Sequence, residues 1–200
     1  MDSHQRASGD VKAVDRPLFI PVILGTVRAG RMSLHAAQLL VKELSKRTGT
    51  ETELIDIAEL PLPTNNAGQA IKDHGFAAKV ERADALVIVA PEYNHGYPGL
   101  LKHVLDSCLD EYIHKAAGIV GVSASAFGGT RVIENLLPVL RELGLVTIFW
   151  DVSFANVHKV FSPDGRILDP SLIVGVDQFL EELIWMAKTL RHGRERISID

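Results

Sequence analysis

Nine consecutive residues, Pro91-Glu92-Tyr93-Asn94-His95-Gly96-Tyr97-Pro98-Gly99, bring together a carboxylate, two phenols, an amide, an imidazole and four turn formers. They follow Ala85-Leu86-Val87-Ile88-Val89-Ala90, an unbroken apolar run that suits a strand buried on both faces. A buried strand ending in a polar, aromatic loop marks the carboxyl edge of a parallel sheet, where such sheets hold ligands. A helix expected from about Pro98 aims its free N–H groups and positive end at the same edge. This chemistry is that of holding rather than attacking: peptide groups beside Tyr93, Asn94 and His95 can line a flat heteroaromatic ring. A plain Pro/Gly-rich connection with a capping Asn is the bland alternative.

The second set is Gly25-Thr26-Val27-Arg28-Ala29-Gly30-Arg31-Met32-Ser33. Two glycines, two hydroxyls and two guanidinium groups stand just ahead of an expected helix. N–H donors, the helix dipole and Arg all favour a phosphate dianion. No Gly-Lys-Ser/Thr closes the loop and the Gly-x-Gly-x-x-Gly spacing is absent, so neither a Walker A loop nor a dinucleotide fingerprint is present. A glycine turn with surface arginines would read the same way.

The third set, Ser123-Ala124-Ser125-Ala126-Phe127-Gly128-Gly129-Thr130, is small-residue backbone against which a ligand can lie, and alone is weak. Together the three loops describe a mononucleotide such as FMN, with its phosphate at the first loop and its ring between the other two.

These loops need a frame. Leu18 to Leu24, Thr52 to Ile57, Ala85 to Ala90, Gly118 to Val122 and Val146 to Trp150 read as strands. Amphipathic helices alternate with them: one capped by Ser33, one over 70–82, one from Gly99 to Tyr112, one from Gly129 to Glu142 and one from Ser171 to Arg191. Alternation of this kind predicts an α/β fold with a five-stranded parallel sheet covered on both faces. Periodicity leaves two strand orders open, a Rossmann half and the flavodoxin-like 2-1-3-4-5; convergence of the three loops favours the latter. One domain over 17–192 is expected, with a disordered lead-in over 1–16 and a short tail over 193–200.

A net charge of −4 with scattered Lys and Arg argues against a nucleic-acid partner. The single cysteine, Cys108, rules out an internal disulfide, and no apolar run approaches the ~20 residues that span a bilayer. A soluble cytoplasmic protein with no membrane partner is the expectation. Cys108 falls on the apolar stripe of its helix and reads as core.

The nine-residue motif, continued by Leu101-Lys102 and Asp106, resembles that of the NADPH-dependent FMN reductases, a family that includes quinone, azo-dye and chromate reductases. The likeness runs over roughly 19–190 and takes in the Gly25–Arg31 loop, the segment from Asp56 to Pro63, and Gly128-Gly129-Thr130-Arg131 with Leu140-Arg141-Glu142-Leu143-Gly144. It implies bound FMN, NADPH or NADH as co-substrate, and a small acceptor: free flavin, a quinone, an azo compound or a metal oxyanion. Gly25, Thr26, Arg28, Arg31, Met32, Ser33, Pro91, Glu92, Tyr93, Asn94, His95, Gly96 and Ser123 are then the cofactor-binding candidates, with no metal site. No catalytic side chain is assigned, because the flavin carries the chemistry. Glu92 is expected to turn away into a structural pair, and His95 either donates to an acceptor or packs on backbone. The resemblance also implies a homodimer or a dimer of dimers, built through the helix from Gly99 and an apolar rim at Tyr112 and Ile113. Ser123-Ala124-Ser125-Ala126 departs from the family's usual Ser-Tyr-Gly-Gly, which opens the ring side of the pocket and bears on substrate choice. A flavodoxin-like electron carrier, or a flavin-bearing redox sensor that recruits a protein partner, is the competing class.

Overall fold

The computed structural model describes residues 16–63 and 72–198. Its first strand is broken into β1 (Leu18–Phe19) and β2 (Val22–Leu24), because Pro21 between them has no N–H to give to a ladder. Beside it run β3 (Thr50–Glu51) and β4 (Leu54–Asp56), and the pairings Leu18↔Thr50 and Val22↔Leu54 keep one register across the break. β5 (Ala85–Pro91) lies on the other side of β2, followed outward by β6 (Ala116–Val122) and the edge pieces β7 (Val146–Thr147) and β8 (Val152–Phe154). All pairings are parallel, so with the broken strands joined the order is 2-1-3-4-5, as expected.

The sheet buries both faces, and alternate residues of each strand serve opposite layers. Val22, Leu24, Val87, Val89, Val120 and Val122 meet α1 (Ser33–Ser45) and α6 (Leu172–Arg196). Ile23, Leu86, Ile88, Ala90 and Ile119 meet α2 (His74–Arg82), α3 (Gly99–Leu105) and α4 (Thr130–Glu142). A short α5 (Val157–Val160) completes the helices.

Several expected boundaries move. The strand expected from Val146 to Trp150 breaks after Thr147, because the edge carries two more residues than β6 between the pairs Ala117↔Thr147 and Val120↔Val152. The extra residues bulge outward, leaving Phe149 82% and Trp150 46% exposed in an edge-to-face pair. The helix expected to run from Gly99 to Tyr112 stops at Leu105. Ser107 Oγ donates to the Val104 carbonyl at 2.7 Å, Leu109 leaves helical geometry, and a 3₁₀ turn follows over Asp110–Tyr112. Tyr112 is fully buried there and is no part of an apolar rim, whereas Ile113 is 42% exposed. The expected boundary at 192 falls inside α6, which continues to Arg196. Met32, not Ser33, caps α1, and no side chain completes that cap. The lead-in up to Asp15 and the first two residues of the helix expected over 70–82 lie outside the described residues.

At the amino edge of the sheet, Asp84 is completely buried just before β5. Arg16 reaches it at 2.7 and 3.0 Å, Arg194 of α6 at 3.0 Å, and the Phe19 N–H at 3.1 Å. The cluster clamps α6 to the start of the sheet, far from the three loops.

Candidate functional site

β2, β5 and β6 are adjacent and parallel, so the loops that follow them must leave one edge side by side. They enclose a cleft of about 290 Å³. The loop after β2 contributes Arg28, Ala29, Gly30, Arg31, Met32 and Ser33; the end of β5 contributes Pro91, Glu92 and Tyr93; the end of β6 contributes Val122, Ser123 and Ala124, with Val157 from α5. Eight of the candidates read from the sequence thus share one wall: Arg28, Arg31, Met32, Ser33, Pro91, Glu92, Tyr93 and Ser123.

The amino end of the cleft is polar and underused. Ser33 Oγ is buried at the start of α1 with no hydrogen-bond partner, and so is Arg31 Nε. The Arg31 guanidinium is tied by its Nη2 to Asp56 at the end of β4. That pair sets the loop against the neighbouring strand and leaves Nε unspent. The Arg28 side chain is exposed, with no ion pair or hydrogen bond to its guanidinium among the described residues; only its main-chain N–H is engaged, with Thr26 Oγ1 at 3.4 Å. Orphaned donors at a helix N-terminus beside a free cation fit a phosphate.

Gly25 and Thr26 stand behind the wall. Gly25 donates to the Val89 carbonyl at 2.8 Å, and a Cβ on it would meet a Leu101 methyl at 2.8 Å and the Val89 carbonyl at 3.1 Å, so a larger residue would push against α3. Thr26 is 1% exposed, and its hydroxyl lies 2.9 Å from the Tyr93 hydroxyl, a bridge from the first loop to the second.

The second loop is a tight two-residue hairpin. Tyr93 N–H donates to the Gly96 carbonyl at 2.9 Å and Gly96 N–H returns the bond at 3.0 Å. Asn94 (φ 48°) and His95 (φ 70°) both take the left-handed conformation that such turns require. Asn tolerates it; His does so at a cost, offset by a 2.8 Å bond from Asn135 Nδ2 of α4 to the His95 carbonyl. Asn94, His95 and Gly96 therefore sit outside the cleft wall, and the N–H groups of Asn94 and His95 donate to nothing among the described residues.

Glu92 lines the cleft yet its side chain is only 8% exposed. Its Oε1 lies 3.0 Å from Arg131 Nη1 of α4, the structural pair expected from the sequence. Arg131 in turn lies 4.4 Å above the Phe127 ring. In the third loop Ser123 Oγ donates to the Ser125 carbonyl at 2.8 Å, and its N–H donates to Phe154. Gly129, at φ 84°, packs so close to Val122 N that a Cβ would stand at 2.6 Å. Cys108 is buried in the α3 layer, and burial pushes its thiol up to about 11, which removes it as a nucleophile. Among the described residues no group of His, Cys, Asp or Glu could hold a metal ion, and no helix is long and apolar enough to cross a membrane.

Reading the sequence missed Val157, and named Asp56 and Arg131 only within family-like segments, not as site residues. Val157 follows Asn156, whose left-handed backbone (φ 49°) starts α5; the preceding Ala155-Asn156 turn was the available signal. For the two ion pairs there was no local signal, because their partners lie on different strands and helices.

A three-layer, flavodoxin-like sheet with a phosphate-type helix start and two further loops at one edge defines a mononucleotide-binding protein. Residues 19–159 match the family model of the NADPH-dependent FMN reductases, and the chain belongs to that family: a flavodoxin-like NAD(P)H oxidoreductase that works with FMN. It is 29% identical over 181 residues to an NAD(P)H-dependent FMN reductase of Pseudomonas aeruginosa, a match covering 84% of this chain and 95% of that one. To a quinone reductase of Escherichia coli it is 34% identical over 165 residues, covering 76% and 86%. In fold it is similar to FerB, an NAD(P)H:(acceptor) oxidoreductase from Paracoccus denitrificans, with a TM-score of 0.72 at 20% identity over 86% of this chain and 98% of that one. A short-chain flavodoxin aligns with a TM-score of 0.59 at 17% identity, covering 85% and 99%.

Proposed function

We propose that this reductase passes reducing equivalents from NADPH or NADH through FMN to quinones and similar small oxidants. The observation that carries the reading is the single cleft walled by all three loops, polar at the α1 start and lined by backbone at the β5 and β6 ends. Arg28, Ser33 and the Nε of Arg31 hold the phosphate, with Met32 and the α1 amides around it. Pro91, Glu92, Tyr93 and Ser123 flank the middle of the cofactor. The ring extends past the cleft wall to the hairpin, where the unspent N–H groups of Asn94 and His95 meet its acceptor atoms, while Gly25, Thr26 and Gly96 fix the loops that carry these groups. Bound FMN supplies the hydride chemistry, and the protein's share is binding, orientation and exclusion of water. No side chain needs to act as acid, base or nucleophile.

The name of the E. coli relative points to quinones, and a Burkholderia relative, 28% identical over 136 residues, is a 2-hydroxy-1,4-benzoquinone reductase. Cytoplasmic location and a homodimer, or a dimer of such dimers, complete the reading. The test is to purify the protein, record its visible spectrum, release and identify the cofactor, and follow NAD(P)H consumption with a quinone. FMN with steady turnover supports the proposal. FAD or no flavin overturns the cofactor assignment, and flavin without turnover indicates an electron carrier or a sensor.

A further inference from the structure

Phe127 is 61% exposed, yet it is held in place from two sides. The Arg131 guanidinium lies 4.4 Å from its ring centre, and that guanidinium is anchored by the Glu92 carboxylate at 3.0 Å. At its main chain, the Thr130 N–H and hydroxyl both donate to the Phe127 carbonyl, at 3.1 and 2.8 Å. Gly128 and Gly129 then lock the loop onto β6: a Cβ at Gly121 would strike both their carbonyls at 2.8 Å. The cation–π contact fixes the ring while most of its apolar surface stays in water, where a second flat ring could cover it.

The position explains the anchoring. Glu92 and Ala124 both line the cleft, and Phe127 stands three residues beyond Ala124, with Arg131 between it and Glu92. The loop has no aromatic residue at 124–126, so Phe127 is the aromatic side chain it carries, linked to the cleft-lining Glu92 through Arg131. The other Glu92 oxygen is buried and without a hydrogen-bond partner, so the carboxylate acts on the rim through Arg131.

We propose that Phe127 is a stacking platform for planar aromatic electron acceptors, and that Arg131 and Glu92 are positioning residues that hold it. The inference deepens the reductase reading above and rests on it for the identity of the acceptor class. An offset-stacked ring pair strengthens binding by about two- to tenfold. A fused bicyclic quinone gains this contact, whereas ferricyanide, an inorganic one-electron oxidant without a ring, does not.

The experiment compares FMN-loaded parent, Phe127→Ala, Phe127→Trp and Arg131→Lys. The expected result for Phe127→Ala is a two- to tenfold fall in the ratio of kcat/KM for 1,4-naphthoquinone to that for ferricyanide, through KM, with Phe127→Trp restoring it. Arg131→Lys keeps a cation for Glu92 but loses the planar face, so the ratio falls while Tm holds. Calorimetric titration with 2-naphthol, a redox-inert bicyclic ring, gives a readout free of turnover and is expected to weaken in parallel. An unchanged ratio and unchanged 2-naphthol affinity in Phe127→Ala would overturn the proposal. Failure of the parent to bind FMN in a separate titration would instead overturn the reductase reading, and 2-naphthol binding would still report on Phe127.

Discussion

The Arg31 guanidinium, in the loop after β2, is paired with the Asp56 carboxylate at the end of β4. Arg28, in the same loop, leaves its guanidinium uncommitted among the described residues. Arg31 thus spends one nitrogen on holding the loop, and Arg28 spends none.

Arg28→Ala is expected to weaken FMN binding about tenfold or more, the loss of one charge-assisted hydrogen bond, with Tm unchanged. Arg31→Ala should weaken binding and also cost about 1–3 kcal/mol of stability, because the largely buried Asp56 carboxylate loses a hydrogen-bond donor. Fluorescence titration and a melting curve on each variant check both halves. Two single variants that bind FMN like the parent would remove the phosphate assignment.

A second prediction concerns the opposite end of the sheet. Asp84 is fully buried and accepts from Arg16, Arg194 and the Phe19 N–H. Asp84→Ala leaves those donors facing a cavity and should cost about 3–5 kcal/mol, lowering Tm by roughly 6–20 °C. FMN affinity at the far edge should change less than twofold in whatever folds. A melting temperature within 2 °C (about 1 kcal/mol) of the parent would contradict the clamp.

Much of this was legible in the chain. The apolar run Ala85–Ala90 could only be a central strand, and the loop after it could only leave the carboxyl edge. What failed to show were features set by partners distant in sequence. Arg131 looks like a surface helix residue until Glu92 is brought to it across two loops. Asp84 looks like a turn residue until α6 returns more than a hundred positions later with Arg194. The edge strand also broke where its pattern was continuous. Val146 to Trp150 has a neighbour on one side only, so the bulge at Phe149 and Trp150 costs little pairing. Likewise α3 ends early because a serine hydroxyl at 107 takes a helical carbonyl, a competition that hydrophobic spacing does not register.

Lys115 makes stability depend on pH. It is 5% exposed, and its Nζ donates to the Val80 and Glu81 carbonyls at 2.6 Å each, closing the end of α2. Burial pulls the ammonium down to about 8 from an ordinary 10.5. Between those values the unfolded chain binds more protons than the folded one, so this group's contribution rises with pH across that window and is flat below it. Lys115→Met should lose that slope. Urea midpoints at pH 7.5 and 10 should show the parent gaining about 1–3 kcal/mol relative to the variant. Equal shifts in both proteins would assign the slope elsewhere.

The last prediction concerns assembly. Around α3 and the 3₁₀ turn after it, Leu100 is 36%, Leu109 61% and Ile113 42% exposed. On the intervening polar face Lys102 Nζ lies 2.5 Å from Asp106, so that pair can enter an interface without a stranded charge. Ile113 is backed by Gly144, whose Cβ would lie 3.2 Å from it, so this apolar point is firmly seated. A two-fold contact would set α3 against its symmetry mate and bring two clefts to a shared boundary, since α3 starts directly after the hairpin at 93–96. Light scattering at micromolar concentration should therefore give about twice the 21.9 kDa of one chain. Leu109→Glu with Ile113→Glu should return the monomer, because two desolvated carboxylates on each side of an isologous contact repel their own copies. Activity that falls with dissociation would mean the partner helps to complete the acceptor site. A parent that scatters as a 21.9 kDa monomer with full activity rules out the dimer and leaves these three side chains as ordinary exposed apolar surface.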